Sequence, residues 1–186
     1  LMIALNDGID VESGKRVFDG TGHFLGMETF GDVMRAWDVF IREFCRQAVI
    51  LDSSADLVLE QEVPDILCSA LTEDCIARGK HLKEGGAVYD FISDLQVGIA
   101  NLGDSLAAIK KTVYEDKSVT REELWNALLT DFAGERGEEI RKLLLAVPKF
   151  GNDDDYVDSL VVAGYDSYID ELKKYKNTRY GRGPIG

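Results

Sequence analysis

The sequence predicts an α-rich α/β chain, and three observations point there. Apolar residues recur at helical spacing over most of the 186 residues, a single short β-branched and aromatic run stands between glycines, and no repeat or low-complexity tract interrupts them. A hydrophobic content of 45% is enough for a real core. Thirty-four acidic against 21 basic residues give a net charge of −13, which repels a phosphate backbone and argues against a nucleic-acid partner. No stretch is long and apolar enough to cross a bilayer, and the opening "LMIALNDG" lacks the basic flank and cleavage site of a signal peptide. These features indicate a cytoplasmic protein with no membrane partner.

In chain order, "LMIAL" ends at Asn6-Asp7-Gly8, a good helix terminator, and residues 7 to 28 read as a Gly- and Asp-rich loop with one short strand around Arg16 to Phe18. From Thr29 the spacing of Phe30, Val33, Trp37, Phe40, Ile41, Phe44 and Cys45 predicts a long helix. Thr29 is its N-cap, and Asp32 stands at the capping-box position. Pro64 stops that stretch, and "ILCSALTEDCIARGK" reads as one further helix ending at Gly79, with Cys68 and Cys75 on the same side. "GGAVYDFISDLQVGI" supplies the β-branched run, so at least one strand is expected near residues 87–92. Leu102, Leu106, Ile109 and Val113 mark another helix, "TREELWNALLTDF" opens the next with a Thr120–Glu123 capping box, and residues 136 to 146 and 154 to 176 supply two more.

The acidic stretch "KFGNDDDYVDSL" has consecutive acids rather than the alternating oxygen ligands, central Gly and twelfth-position Glu of a calcium loop. It reads as a helix start, capped by Asn152 or Asp153, with the following carboxylates favourably placed at the positive end of the helix dipole. The three cysteines form no C-x-x-C pair, and neither His23 nor His81 has an i, i+4 partner, so no metal site is expected and the thiols read as reduced and mostly buried.

Several blocks together resemble the glycyl radical enzyme family, the pyruvate formate-lyase and glycerol dehydratase group. They are "ALNDGID", "SALTEDCIARGK", "EGGAVYDF", "GIANLGDSLAAIKK", "PKFGNDDDYVD" and the tail "KKYKNTRYGRGPIG", and their order and spacing fit along nearly the whole chain. The resemblance implies a ten-stranded barrel wrapped by helices, in which a cysteine loop and a glycine loop meet. Residues 1–186 would be the central part of that domain, a helical segment between the two loops, as the abrupt start in "LMIAL" and the end at Gly186 suggest.

Neither radical motif is present on this reading. The family's G-C-x-E setting matches none of Cys45, Cys68 and Cys75, so no catalytic residue is assigned. "VVAGY" is similar to the radical-glycine motif R-V-[SA]-G-Y, but Val161 stands where that motif has Arg, and the helical spacing around it makes Gly164 a close-packing glycine.

The resemblance further implies a parent enzyme of dehydratase, lyase, decarboxylase or formate acetyltransferase type acting on a small-molecule substrate, with carbon–oxygen cleavage preferred. It implies no bound cofactor but a protein-derived glycyl radical, installed by an S-adenosylmethionine and iron–sulfur activating enzyme, and a homodimeric parent. Tyr89, Asp90 and Asn101 are candidates for lining the substrate cavity, against the alternative that Asn101 and Asp104 cap the following helix and Asp90 faces solvent. The rival reading is a noncatalytic helical binding or scaffold module.

Overall fold

The computed structural model describes residues 1–90 and 96–175. The chain divides into two compact units, Leu1–Glu43 with Gln96–Tyr168, and Phe44–Leu95 with Ile169–Gly186. Among the described residues every regular element is helical, and the only β-type pairings are two isolated antiparallel bridges, Asn6 with His23 and Ile9 with Arg16.

In the first unit, α1 (Met2–Leu5) stops at Asn6 as expected. The loop that follows is tightly tied. Asp7 pairs with Arg16 at 3.0 Å and accepts the Gly22 N–H at 2.9 Å, and the Gly8 carbonyl accepts from Val17 at 2.8 Å. Gly8 sits at φ +75°, and a β-carbon there would overlap the Phe18 carbonyl, so only glycine fits this crossing. The strand expected at Arg16–Phe18 is therefore reduced to a single bridge. Phe24 is fully buried against Trp125, with ring centroids 6.3 Å apart.

Helix α2 (Phe30–Glu62) begins as the sequence predicts. Thr29 N–H donates to the Asp32 carboxylate at 2.8 Å, and Asp32 N–H donates back to Thr29 Oγ1 at 3.3 Å. Its part in the first unit buries Val33, Ala36, Trp37 and Ile41. The stripe is packing surface.

Helix α5 (Ile99–Ile109) buries Leu102, Leu106 and Ile109 and runs into a π-helical segment, Lys110–Glu115. Helix α6 (Arg121–Leu129) has the expected capping box of Thr120 and Glu123, and α7 (Gly134–Ala146) follows, burying Ile140. Helix α8 (Asp155–Leu172) starts where Asp154 Oδ1 accepts the Tyr156 N–H at 2.9 Å. The cap is therefore Asp154, not Asn152 or Asp153, because Asp153 has left-handed φ +55° and the Asn152 amide donates back to the Lys149 carbonyl.

Where α5 and α8 meet, two glycines have no room for a side chain. A β-carbon on Gly103 would overlap Val161 Cγ2, and one on Gly164 would lie 2.9 Å from Leu102 Cδ2. The indole N–H of Trp37 donates to the Gly164 carbonyl at 3.1 Å, which completes the seam.

The second unit departs further from expectation. The single helix read across residues 66–79 is two short ones, α3 (Ile66–Leu71) and α4 (Cys75–Arg78). Thr72 turns extended, its hydroxyl donating to the Cys68 carbonyl at 2.7 Å, and Asp74 takes left-handed φ +74°. The break places Cys75 inside and Cys68 outside, so the two thiols do not share a side. Gly79 ends α4 in the left-handed conformation its position calls for.

The strand expected near residues 87–92 is not found over 87–90, where 87–89 are bends and 90 is irregular, and positions 91 and 92 lie outside the described residues. A strand needs a partner for its N–H and C=O groups, and no described residue offers a ladder to this segment. Instead Gly85 reverses the chain at φ +76°, and the Gly86 carbonyl accepts from Arg78 at 2.9 Å.

Candidate functional site

The three residues singled out from sequence fall in different surroundings. Tyr89 and Asp90 belong to the second unit and Asn101 to the first. Tyr89 lies in the bend, with 85% of its surface exposed. Asp90 is half-buried rather than solvent-facing, with Oδ2 shielded from water. Asn101 sits in the first turn of α5 and does not cap it. The cap position is Gly98, which is followed by Ile99.

Asn101 lines a cleft of about 450 Å³ within the first unit. Leu5, Ile109, Leu124, Leu128 and Leu144 make its walls apolar, and Asp104, Ser105 and Lys149 give it a polar rim. That rim is already engaged. Asp104 Oδ1 accepts the Phe150 N–H at 2.7 Å, Lys149 Nζ donates to the Leu144 carbonyl at 3.0 Å, and the Ser105 hydroxyl donates to the Asn101 carbonyl at 2.7 Å. Asp104 therefore ties the 147–150 turn to α5 instead of capping α5. The cleft can hold an apolar group, but it brings no acid–base pair to bear on it.

A second cluster, missed from sequence, gathers around the π-helical segment. Lys110 Nζ stands 4.4 Å from the Tyr156 ring centroid, and the Tyr156 hydroxyl donates to Glu115 at 3.1 Å. Burial, then the Glu115 carboxylate, pushes the Tyr156 hydroxyl up and keeps it protonated. Nearby the Met27 carbonyl accepts from Tyr114 at 2.9 Å and from Arg121. These groups satisfy one another across long sequence separations, which no local pattern reveals.

Cys45 and Cys75 are buried, and the exposed Cys68 thiol is pushed up by its hydrogen bond to Asp65 and by that carboxylate's charge. Among the described residues no group of His, Cys, Asp and Glu could hold a metal ion. His23 lies edge-on to Trp125 at 4.6 Å, and His81 Nε2 meets the Glu60 carbonyl at 3.1 Å, so both are core-edge residues. Gly164 is buried within α8, as its helical spacing predicts.

Residues 1–184 match the family model described as pyruvate formate lyase-like. The chain belongs to this family of glycyl radical enzymes. Across its whole length it is 48% identical to the probable dehydratase YbiW of Escherichia coli, and over 92% of its length it is 30% identical to trans-4-hydroxy-L-proline dehydratase of Clostridioides difficile. The glycerol-bound B12-independent glycerol dehydratase of Clostridium butyricum superposes on 99% of the chain with a TM-score of 0.86 and 36% identity. The pyruvate formate lyase-like chain spans 23%, 22% and 23% of these three proteins. No helix among the described residues is long and apolar enough to cross a membrane.

Proposed function

We propose that residues 1–186 are the central part of a pyruvate formate lyase-like domain whose parent enzyme eliminates water from a small hydroxylated substrate. The observation that carries this is the 48% identity, sustained over the entire chain, to a protein described as a dehydratase. The radical supplies a hydrogen-abstracting centre at the substrate carbon. This segment contributes none of the reacting groups on our reading, since Cys45, Cys75 and Gly164 are packing residues and Cys68 lies on the outside. Its part is to hold the surrounding framework, with Tyr89, Asp90 and Asn101 as lining or supporting residues. A glycyl radical installed by an S-adenosylmethionine and iron–sulfur activating enzyme, a homodimeric parent and a cytoplasmic setting complete the reading.

The test is anaerobic activation of the native gene product, followed by product analysis with vicinal diols and hydroxylated amino acids. Loss of water from one of these is the expected result. Carbon dioxide release from an arylacetate, or formate from pyruvate and coenzyme A, with no dehydration, would overturn it.

A further inference from the structure

We propose that Arg78 is a positioning residue for the substrate site: through the Gly86 carbonyl it fixes the segment that carries Tyr89 and Asp90. This rests on the reading of those two side chains as lining or supporting residues of a dehydratase.

The loop that leads to them is built to one conformation. The His81 carbonyl accepts from the Glu84 and Gly86 N–H groups, both at 3.0 Å, and the Lys80 N–H donates to the Cys75 carbonyl at 3.1 Å. The Leu82 N–H donates to Ser69 Oγ at 2.8 Å. Gly85 turns the chain at φ +76°, and Gly86 is buried where only glycine fits. A β-carbon on Gly86 would overlap the Lys80 carbonyl oxygen and lie 2.7 Å from Cys75 Sγ.

The last tie before the two candidates comes from Arg78, the final residue of α4. Its Nη1 donates to the Gly86 carbonyl at 2.9 Å. Among the described residues this guanidinium has no carboxylate partner, and the carbonyl is its single polar contact. Past that bond, Ala87, Val88 and Tyr89 make no hydrogen bond with any described residue. Packing does not hold them either, since Val88 and Tyr89 are 60% and 85% exposed. A charge-assisted bond from a pre-organised guanidinium therefore sets the direction in which this segment leaves the loop. Its service is to placement rather than to burial, and catalysis is sensitive to placement: a shift of about 1 Å can cost about 100-fold in rate.

The experiment uses the native gene product, activated anaerobically and supplied with the vicinal diol or hydroxylated amino acid it dehydrates. Arg78→Met keeps the length of the side chain without the donor, and Arg78→Lys restores a charged donor. We expect Arg78→Met to lower kcat/KM at least about tenfold while Tm and the glycyl radical signal stay near those of the parent, and Arg78→Lys to recover most of the loss. In a Tyr89→Ala, Asp90→Ala background, adding Arg78→Met should cost little more, because the groups it positions are gone. A parent-like kcat/KM in Arg78→Met, equal losses in the Met and Lys variants, or a full additive loss in the Tyr89→Ala, Asp90→Ala background overturns the proposal. The underlying reading fails differently. If the Tyr89→Ala, Asp90→Ala protein turns over like the parent, the lining role falls and Arg78's role with it, whereas a damaged Tyr89→Ala, Asp90→Ala protein beside a parent-like Arg78→Met removes Arg78 alone.

Discussion

Replacing Gly103 by alanine tests the helix seam that organises the first unit. The β-carbon would overlap Val161 Cγ2, with Val161 Cβ at 3.4 Å and Cα at 3.6 Å behind it. A β-branched side chain in a helix has one strongly preferred rotamer, so Val161 cannot swing away and α5 and α8 must part. Overpacking of this kind costs about 1–3 kcal/mol. Alanine returns about 1 kcal/mol through its better helix propensity. The net loss is up to about 2 kcal/mol, a fall in Tm of up to roughly 8 °C for a chain of this size. Gly31→Ala is the control, since the nearest atom to its new β-carbon is Thr29 Oγ1 at 3.5 Å, an ordinary contact. It should gain up to about 1 kcal/mol. The assay is urea unfolding followed by circular dichroism, with Val161→Ala and the double variant completing a cycle. Because Val161→Ala removes the colliding methyl, the double variant should be more stable than the two single losses predict, by about 1 kcal/mol or more. A Gly103→Ala protein that gains as much stability as Gly31→Ala, or strict additivity with Val161→Ala, would refute the close approach.

Trp37→Phe keeps most of the apolar volume but deletes the buried N–H that reaches the Gly164 carbonyl at 3.1 Å, and should cost about 1 kcal/mol in the same assay. A second expectation concerns acid. Asp7 is held low by Arg16 and then the Gly22 N–H, Asp32 by the Thr29 N–H and hydroxyl, Asp65 by the Cys68 N–H, and Glu123 by Arg136 and then the Thr120 N–H. Folded values below the ordinary ones mean that this stability is present above about pH 4 and is lost as pH falls through the folded values. Asp32→Asn should therefore flatten the acid limb of Tm against pH, and an unchanged limb would contradict the assignment. Cys68 should be the first of the three thiols to alkylate in the native 186-residue chain, yet more slowly than an unstructured cysteine at pH 8, and Asp65→Asn should speed it. Faster labelling of Cys45 or Cys75 would contradict the packing described for them.

Features set by short-range chemistry were legible in the sequence. The Thr29–Asp32 and Thr120–Glu123 boxes, the Gly79 terminator and the placing of Gly164 inside a helix each depend on residues within one or two turns. Family resemblance carried the rest of the identity. What failed depended on partners far along the chain or on competing local bonds. The Ala87–Asp90 run has strand composition, but pattern cannot say whether a ladder partner is present. The helix over residues 66–79 looked continuous because its apolar spacing survives the break that Thr72 and Asp74 impose. Asn101 and Asp104 have capping side chains, but Gly98 already starts α5 and Asp104 is drawn 46 positions along to Phe150. The Lys110, Tyr156 and Glu115 cluster leaves no local signal at all.

We propose that this chain is a supporting, noncatalytic segment of a glycyl radical dehydratase. Electron paramagnetic resonance after anaerobic treatment with the activating enzyme tests it most directly, applied in parallel to the native gene product and to the 186-residue chain. The account predicts a glycine-centred radical signal in the native product and none in the 186-residue chain. A glycine-centred signal from the 186-residue chain alone would place the radical on these residues and contradict it.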